Sequence, residues 1–357
     1  GVAAPRGDIG SQILHELEPE RHVDPDPTVP KVDISAPMIS QEGSDETIFI
    51  KKINFVFLEE DLLKETKPHM KTRWAWKRAL AVENEQARLD YLAHQITDKE
   101  AGKELSFKQL VKLAEAVTLK MRAEGYITAL AYLPQQQMQD DVIKMNIMLG
   151  TYDDVLVMNE SAIANSRMGA YTSKLTKGRL IRNDEINRSL LTVNDMPGTT
   201  GKASLAPGDT VGTAKMIYEA TILEKQGAAA YVDNWGNKST GRYRYGLNYY
   251  YNNLAKAGDV LQANLIMSNH KDMKNGLVQY ESAYGQRGEK WRASYSKMDY
   301  DFKSRGNNYE GQTTTYELGT TVPMERDLLK SNFWDLAFRH RVIRDDMLFG
   351  NSASLTN

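Results

Sequence analysis

The run from Gln226 to Ile343 narrows what this chain can fold into more than any other part of it. Helical periodicity stops there, and long segments alternate between apolar and polar residues. Across Thr240–Asn252 the odd positions Tyr243, Tyr245, Leu247, Tyr249 and Tyr251 are aromatic or aliphatic, while Arg242, Arg244, Asn248 and Asn252 are polar. A period of two sends these sets to opposite faces of a strand. One such strand suits a half-buried strand of a soluble sandwich as well as a barrel wall in lipid. The candidates are Gln226–Asn234, Thr240–Asn252, Asp259–Ser268, Leu277–Gly285, Trp291–Phe302, Gln312–Met324 and Asn332–Ile343. Leu261, Ala263, Leu265 and Met267 oppose Gln262, Asn264 and Ser268, and Trp334, Leu336, Phe338 and Val342 oppose Asp335, Arg339 and Arg341. These segments outrun the usual soluble strand and match the roughly 9–11 residues of a tilted bilayer-spanning strand. As a set they favour the barrel. Trp291–Phe302 is less regular: its outer phase slips near Lys297, as a β-bulge there would cause.

Composition removes competitors. No run approaches the roughly 18–20 apolar residues of a membrane helix, so a membrane span has to be a barrel, whose backbone groups pair internally. The 18 tyrosines against 8 phenylalanines supply rings with a polar tip, suited to interfacial girdles. A net charge of −2 offers no basic footprint for nucleic acid. With no cysteine there is no disulfide framework, thiolate metal site or cysteine nucleophile. The six histidines form no His-x-x-x-His pair. The PGTTGKAS run, Pro197–Ser204, lacks the glycine spacing of a phosphate loop and has Ala203 where Ser or Thr would hold magnesium. Neither an enzyme nor a cofactor is expected.

Ahead of the strands, Ile9, Ile13 and Leu17 mark a short amphipathic helix, assigned to residues 1–18. A linker, 19–46, carries Pro19, Pro25, Pro27, Pro30 and Pro37, which rules out helix and central strand. Two modules follow, 47–150 and 151–224, each ordered strand, helix, helix, strand, strand. In the first, Ile48–Phe57 is a strand and Ser106–Glu124 a helix with a Ser106/Gln109 capping box and Gly125 at its end. Tyr126–Leu133 and Val142–Leu149 are its other strands, and residues of about 73–99 form a helical insertion. The final region, 225–357, holds the barrel strands.

The letters carry a resemblance. GKELSFKQLVKLAEAVTLKMRAEGYITALAYLPQQ (Gly102–Gln136), KGRLIRNDEINRSLLTVNDMPG with LAPGDTVGTAKMIYEA, and Asp233, Asn234, Gly236, Ser239, Thr240, Gly241 and Arg242 resemble the outer-membrane transporters of two-partner secretion, the haemolysin-activator and filamentous-haemagglutinin transporter family. The seven last-named residues match the signature at the start of that family's barrel. The resemblance implies an α+β fold of two polypeptide-transport-associated (POTRA) modules, β-α-α-β-β, followed by an antiparallel transmembrane β-barrel. The candidate strands make only about seven of its strands, so the chain reads as part of a longer one. It further implies an outer-membrane location with periplasmic modules, an unfolded secreted exoprotein and outer-membrane lipid as partners, a plug-like role for the first helix, and export without nucleotide hydrolysis. A small module with an open strand edge can add a partner's extended segment as another strand. The edge expected to do so is Ile127, Thr128, Ala129, Leu130, Ala131, Tyr132 and Leu133. Arg244, Arg339 and Arg341 fall on the predicted inner face, where they would line a hydrated lumen. Alternatives are a general barrel-assembly factor and a soluble periplasmic POTRA-type binding or chaperone module.

Overall fold

The computed structural model describes residues 32–34, 45–67, 84–234, 243–268, 273–304, 307–326, 331–349 and 353–356. The expected 1–18 helix lies outside them.

The first module begins with β2 (Thr47–Ile50), β3 (Lys52–Phe57) and α1 (Glu60–Lys64). It continues with α2 (Glu85–Thr97), β4 (Lys103–Ser106), α3 (Phe107–Ala123), β5 (Leu130–Tyr132) and β6 (Val142–Met148). The single strand expected over Ile48–Phe57 is two. At Lys51 the N–H donates to Asp141 O, and the chain leaves a two-stranded sheet with β4 to join a second sheet ordered β3-β6-β5. Helix α3 starts at the expected capping box, with Ser106 Oγ accepting from Gln109 N and Gln109 Oε1 accepting from Ser106 N. Its Leu110, Ala114, Val117 and Met121 pack into one core with Ile53, Phe57, Met145 and Ile147. Helix α2, expected within an insertion, supplies Leu89 and Ala93 to that same core and serves as the module's first long helix.

The second module comprises β7 (Thr151–Glu160), α4 (Asn165–Tyr171), α5 (Asn183–Asn194), β8 (Thr199–Pro207) and β9 (Thr213–Ile222). Its sheet runs β1-β8-β9-β7, where β1 is Val32–Ile34 from the proline-rich segment. An edge position is one such a segment can occupy. Tyr152, Ile186, Leu190, Met216 and Tyr218 form the core. Gly150 joins the modules at φ +99°, and a Cβ there would collide with Thr128 Oγ1. Glycine therefore meets two demands at the joint.

From Gln226 eight antiparallel strands follow in chain order, β10 (Gln226–Asp233), β11 (Arg244–Asn252), β12 (Val260–Ser268), β13 (Met273–Tyr284), β14 (Glu289–Ser304), β15 (Asn307–Arg326), β16 (Ser331–Phe349) and β17 (Ala353–Thr356). Parity holds. Tyr245, Leu247 and Tyr249 of β11, Leu265 and Met267 of β12 and Leu318 of β15 face out and stay exposed, Leu318 at 60%. Asn264, Ser268, Thr313 and Thr315 on the other face are buried. A ring row, Tyr295–Tyr316–His340, crosses three strands on the outer side. The bulge expected near Lys297 is absent: β13–β14 and β14–β15 pair without interruption, through Lys297↔Gly276 and Lys297↔Thr314. Lys297 is an outward, exposed residue of regular phase. What looked like a slip is a lysine on the apolar side, where its methylene stem covers apolar surface, and Met298 and Tyr300 facing inward, both buried. The register shift falls instead at Pro323/Glu325, between β15 and β16, where proline cannot donate to the ladder.

Candidate functional site

Of the seven residues expected to form a strand edge, three do. Helix α3 ends at Gly125 (φ +103°), Tyr126 N–H returns to Met121 O and Ala129 N–H to Tyr126 O. That turn consumes Ile127–Thr128, so β5 starts only at Leu130. Ile127 packs against the second module's core, and Thr128 Oγ1 donates to Leu149 O at 3.1 Å. Both are joint residues. Ala129 and Leu133 are buried beside the strand.

Among the described residues β5 is an edge, paired only with β6 through Leu130↔Met148, Ala131↔Ile147 and Tyr132↔Asn146. The edge is not open. Ala131 N–H donates to Thr118 Oγ1 at 2.8 Å, and Arg122 Nε donates to Ala129 O at 2.9 Å, both from α3. Burial lowers the pKa of that guanidinium. The expectation of a free edge across Ile127–Leu133 is corrected to a three-residue edge held by a helix hydroxyl and a guanidinium. A buried N–H left unpaired is costly, so a module without a partner satisfies the edge from its own helix.

The second module repeats the device. Gly201 of β8 donates its N–H to Asn194 Oδ1 at 2.9 Å, and its carbonyl accepts from Asn194 Nδ2 at 3.1 Å. One carboxamide at the end of α5 thus stands in for a paired residue. Beside it β1 runs parallel to β8, with Val32↔Ala203, Asp33↔Ser204 and Ile34↔Leu205. Glu59 pins the end of the first module just before the joint, its carboxylate accepting from Leu149 N at 3.0 Å and Gly150 N at 3.0 Å. Sequence reading missed Thr118, Asn194 and Glu59. For Thr118 a signal existed, a polar residue beside the apolar stripe of Val117 and Met121. Glu59 binds atoms about ninety positions away, and no local pattern reveals it.

On the sheet's inner face, Arg244 pairs with Asp233, its cross-strand partner, at 2.9 Å. Arg339 pairs with Glu317. Arg341 is half-buried and lies in register with Thr315. The centre of this face is Arg292 of β14, 5% exposed, which donates to Glu317 at 2.9 Å, Asp335 at 2.9 Å and Thr321 at 3.3 Å. Three strands converge on it, which no single-strand pattern could show. Gly236, Ser239, Thr240, Gly241 and Arg242 lie outside the described residues; Asp233 ends β10, and Asn234 follows it.

The sheet's turns seat on the second module. Asp259, fully buried, accepts from Ala255 N at 2.9 Å, Ala257 N at 3.1 Å and Tyr280 Oη at 2.8 Å, shaping the β11–β12 turn. That turn accepts Ala164 N–H at Lys256 O and sends Asn253 Nδ2 to Pro197 O at 2.8 Å. Arg167 donates to Ala283 O at 2.8 Å.

Two α/β modules, the second of them seated on a long antiparallel sheet that is apolar outside and polar inside, define the POTRA-plus-barrel class of protein. Residues 80–150, a span that includes α2, match the POTRA domain of the ShlB type, and 224–346 match the haemolysin secretion/activation proteins ShlB/FhaC/HecB. The chain is homologous to these two-partner secretion transporters. It is 30% identical over 268 residues to the heme/hemopexin transporter protein HuxB of Haemophilus influenzae, covering 73% of this chain and 47% of that protein. It is 23% identical over 263 residues to the outer membrane transporter CdiB of Escherichia coli, covering 71% of this chain and 44% of that one. The solved structure of Escherichia coli CdiB matches with a TM-score of 0.66 at 17% identity, over 99% of this chain and 62% of that one. CdiB from Acinetobacter baumannii gives 0.60 at 13%, over 98% and 62%. The chain thus spans about half the length of the curated relatives it matches.

Proposed function

We propose that this chain is the capture-and-entry part of an outer-membrane transporter for a secreted polypeptide. Its modules stand in the periplasm and its sheet stands in the outer membrane as part of a barrel wall. An unfolded exoprotein adds a segment to the β5 edge, displacing Thr118 from Ala131, and passes to the polar inner side of the sheet. Main-chain pairing suits this task because it recognises extension and tolerates varied side chains. Asn264, Asn275, Thr313 and Thr315 carry side-chain polar atoms with no partner among the described residues, as fits groups that face a hydrated passage. Arg244, Arg339 and Arg341 line the same side, and Asp233–Arg242 is proposed as the barrel's starting signature. The domain limits proposed are those read from the sequence, with α2 counted as a helix of the first module.

The observation that carries this reading is the β5 edge, whose one outward-directed N–H is held by an exchangeable hydroxyl. Ala131→Pro tests it. The Ala131 N–H goes to Thr118 and not to β6, so proline there removes the edge donor and spares the ladder. Secretion of the cognate exoprotein by the parent transporter should fall to background, with outer-membrane insertion unchanged. Normal secretion by this variant would refute edge capture.

A further inference from the structure

The lysine that interrupts the apolar side of β14 has a setting of its own. Lys297 is exposed on the outward face, one rung beyond the Tyr295–Tyr316–His340 ring row. Its register partners are the small residues Gly276 and Thr314. A Cβ at Gly276 would meet only Leu265, at 3.5 Å, so that flank of the lysine is open. The next rung runs Lys274, Asp299, Gln312, Arg344 across β13 to β16, and both of its cations are exposed. Among the described residues none of Lys274, Lys297 and Arg344 is in an ion pair. We propose that these three side chains form a binding surface for the phosphates of an anionic lipid, in the membrane leaflet remote from the modules.

The level of these residues on the sheet supports a lipid headgroup. β14 leaves the second module where Lys290 Nζ donates to Asp195 O at 3.2 Å, and Trp291 begins its outward row. From Trp291 to Asp299 the strand covers about 27 Å, or about 21 Å of height at the tilt of a barrel strand. The apolar band of such a wall is roughly 25 Å tall, so the Lys274–Arg344 rung stands where hydrocarbon gives way to headgroups. Lys297, one rung below, reaches that level by laying its stem along apolar surface. Lys274 and Arg344 stand three strand spacings apart, about 14 Å, which suits two phosphates on one headgroup better than a single phosphate. Thr314 adds a hydroxyl beside Lys297. The facing carboxylates are Asp299 within the rung and Asp301 and Glu310 one rung further out. They repel an anion, which leaves the lysine's rung and its open Gly276 flank as the place for a phosphate. Basic residues on the lipid side of a barrel cost stability unless they lie near the interface, and a lipid phosphate is the counter-charge that the leaflet itself supplies. The proposal rests on the reading of the sheet as part of an outer-membrane wall.

The test uses the parent transporter in phosphatidylethanolamine vesicles with and without diphosphorylated lipid A, and measures the lipid A that stays with the protein after extraction into detergent. Retention should fall about fivefold in Lys297→Gln and of the order of a hundredfold when Lys274→Gln and Arg344→Gln are added, at about fivefold per basic residue. Lys297→Arg should retain the lipid, and Lys202→Gln, on the second module, should match the parent. Dephosphorylated lipid A should stay with the parent no better than the diphosphorylated form stays with the triple variant. Equal retention by parent and triple variant would overturn the proposal. So would full displacement of lipid A by inorganic phosphate at equal concentration, which would make this a site for free phosphate. Insertion separates the proposal from the reading beneath it. Every variant should insert into phosphatidylethanolamine vesicles. A parent transporter that stays outside vesicles of either composition would sink the wall itself, whereas normal insertion with equal retention would sink the headgroup site alone.

Discussion

At the scale of single residues, Thr118, Asn194, Glu59 and Asp259 hold this molecule by satisfying backbone groups. Thr118→Val keeps the shape and removes the acceptor for Ala131 N–H, which should cost the first module about 1–3 kcal/mol in urea denaturation. The same change should raise its affinity for an unfolded polypeptide, since the edge loses its competitor. Weakened binding would show that the hydroxyl helps the guest. Glu185 of α5 offers a pH test. Burial, the largest cause, raises its pKa despite Arg179 beside it at 3.3 Å. A carboxyl with a raised folded pKa binds its proton more tightly in the native state. Native stability therefore declines as pH climbs from the ordinary carboxyl range through the raised value. Glu185→Gln should remove that part of the decline, read as a flatter Tm-against-pH curve from the ordinary carboxyl range upward. An unchanged slope would assign it elsewhere. Tyr126 likewise is raised, first by burial and then by the Glu85 carboxylate its hydroxyl meets at 3.0 Å, so it stays a neutral donor to a fully buried acid.

At the scale of elements, legibility tracked the range of the interactions. α3 could be placed from its capping box, apolar stripe and terminal glycine, all local signals. β11 and β12 could be faced from alternation alone, because one side meets apolar surroundings and the other does not. β4, the break at Lys51 and the shortness of β5 could not, because each depends on which distant strand a segment pairs with. Lys297 misled because one charged residue on the apolar side reads as a change of phase. The joint at Gly150 is the most sensitive of these links. Gly150→Ala must adopt a positive φ and press on Thr128, costing about 1–3 kcal/mol. The expected result is a lower Tm and altered small-angle scattering from the paired modules. A wild-type profile would mean the joint yields freely.

At the scale of the molecule, the second module and the sheet behave as one seat. Asp259 shapes the turn that docks there, so Asp259→Ala should free the Ala164, Ala255 and Ala257 amides, seen as faster hydrogen exchange at those positions. Exchange unchanged at Ala164 would show that docking does not depend on the turn. The sequence by itself determined the kind of structure: two small α/β modules, then strands with one apolar and one polar side. Periodicity, caps and composition are local, and the medium a face meets is written in its residues. Tertiary structure alone decided which edges are open. Thr118 reaching Ala131, Asn194 reaching Gly201, β1 lying on β8 and three strands meeting at Arg292 all join parts remote along the chain. Such pairings depend on how folding brings those parts together, and no stretch of letters carries that alone.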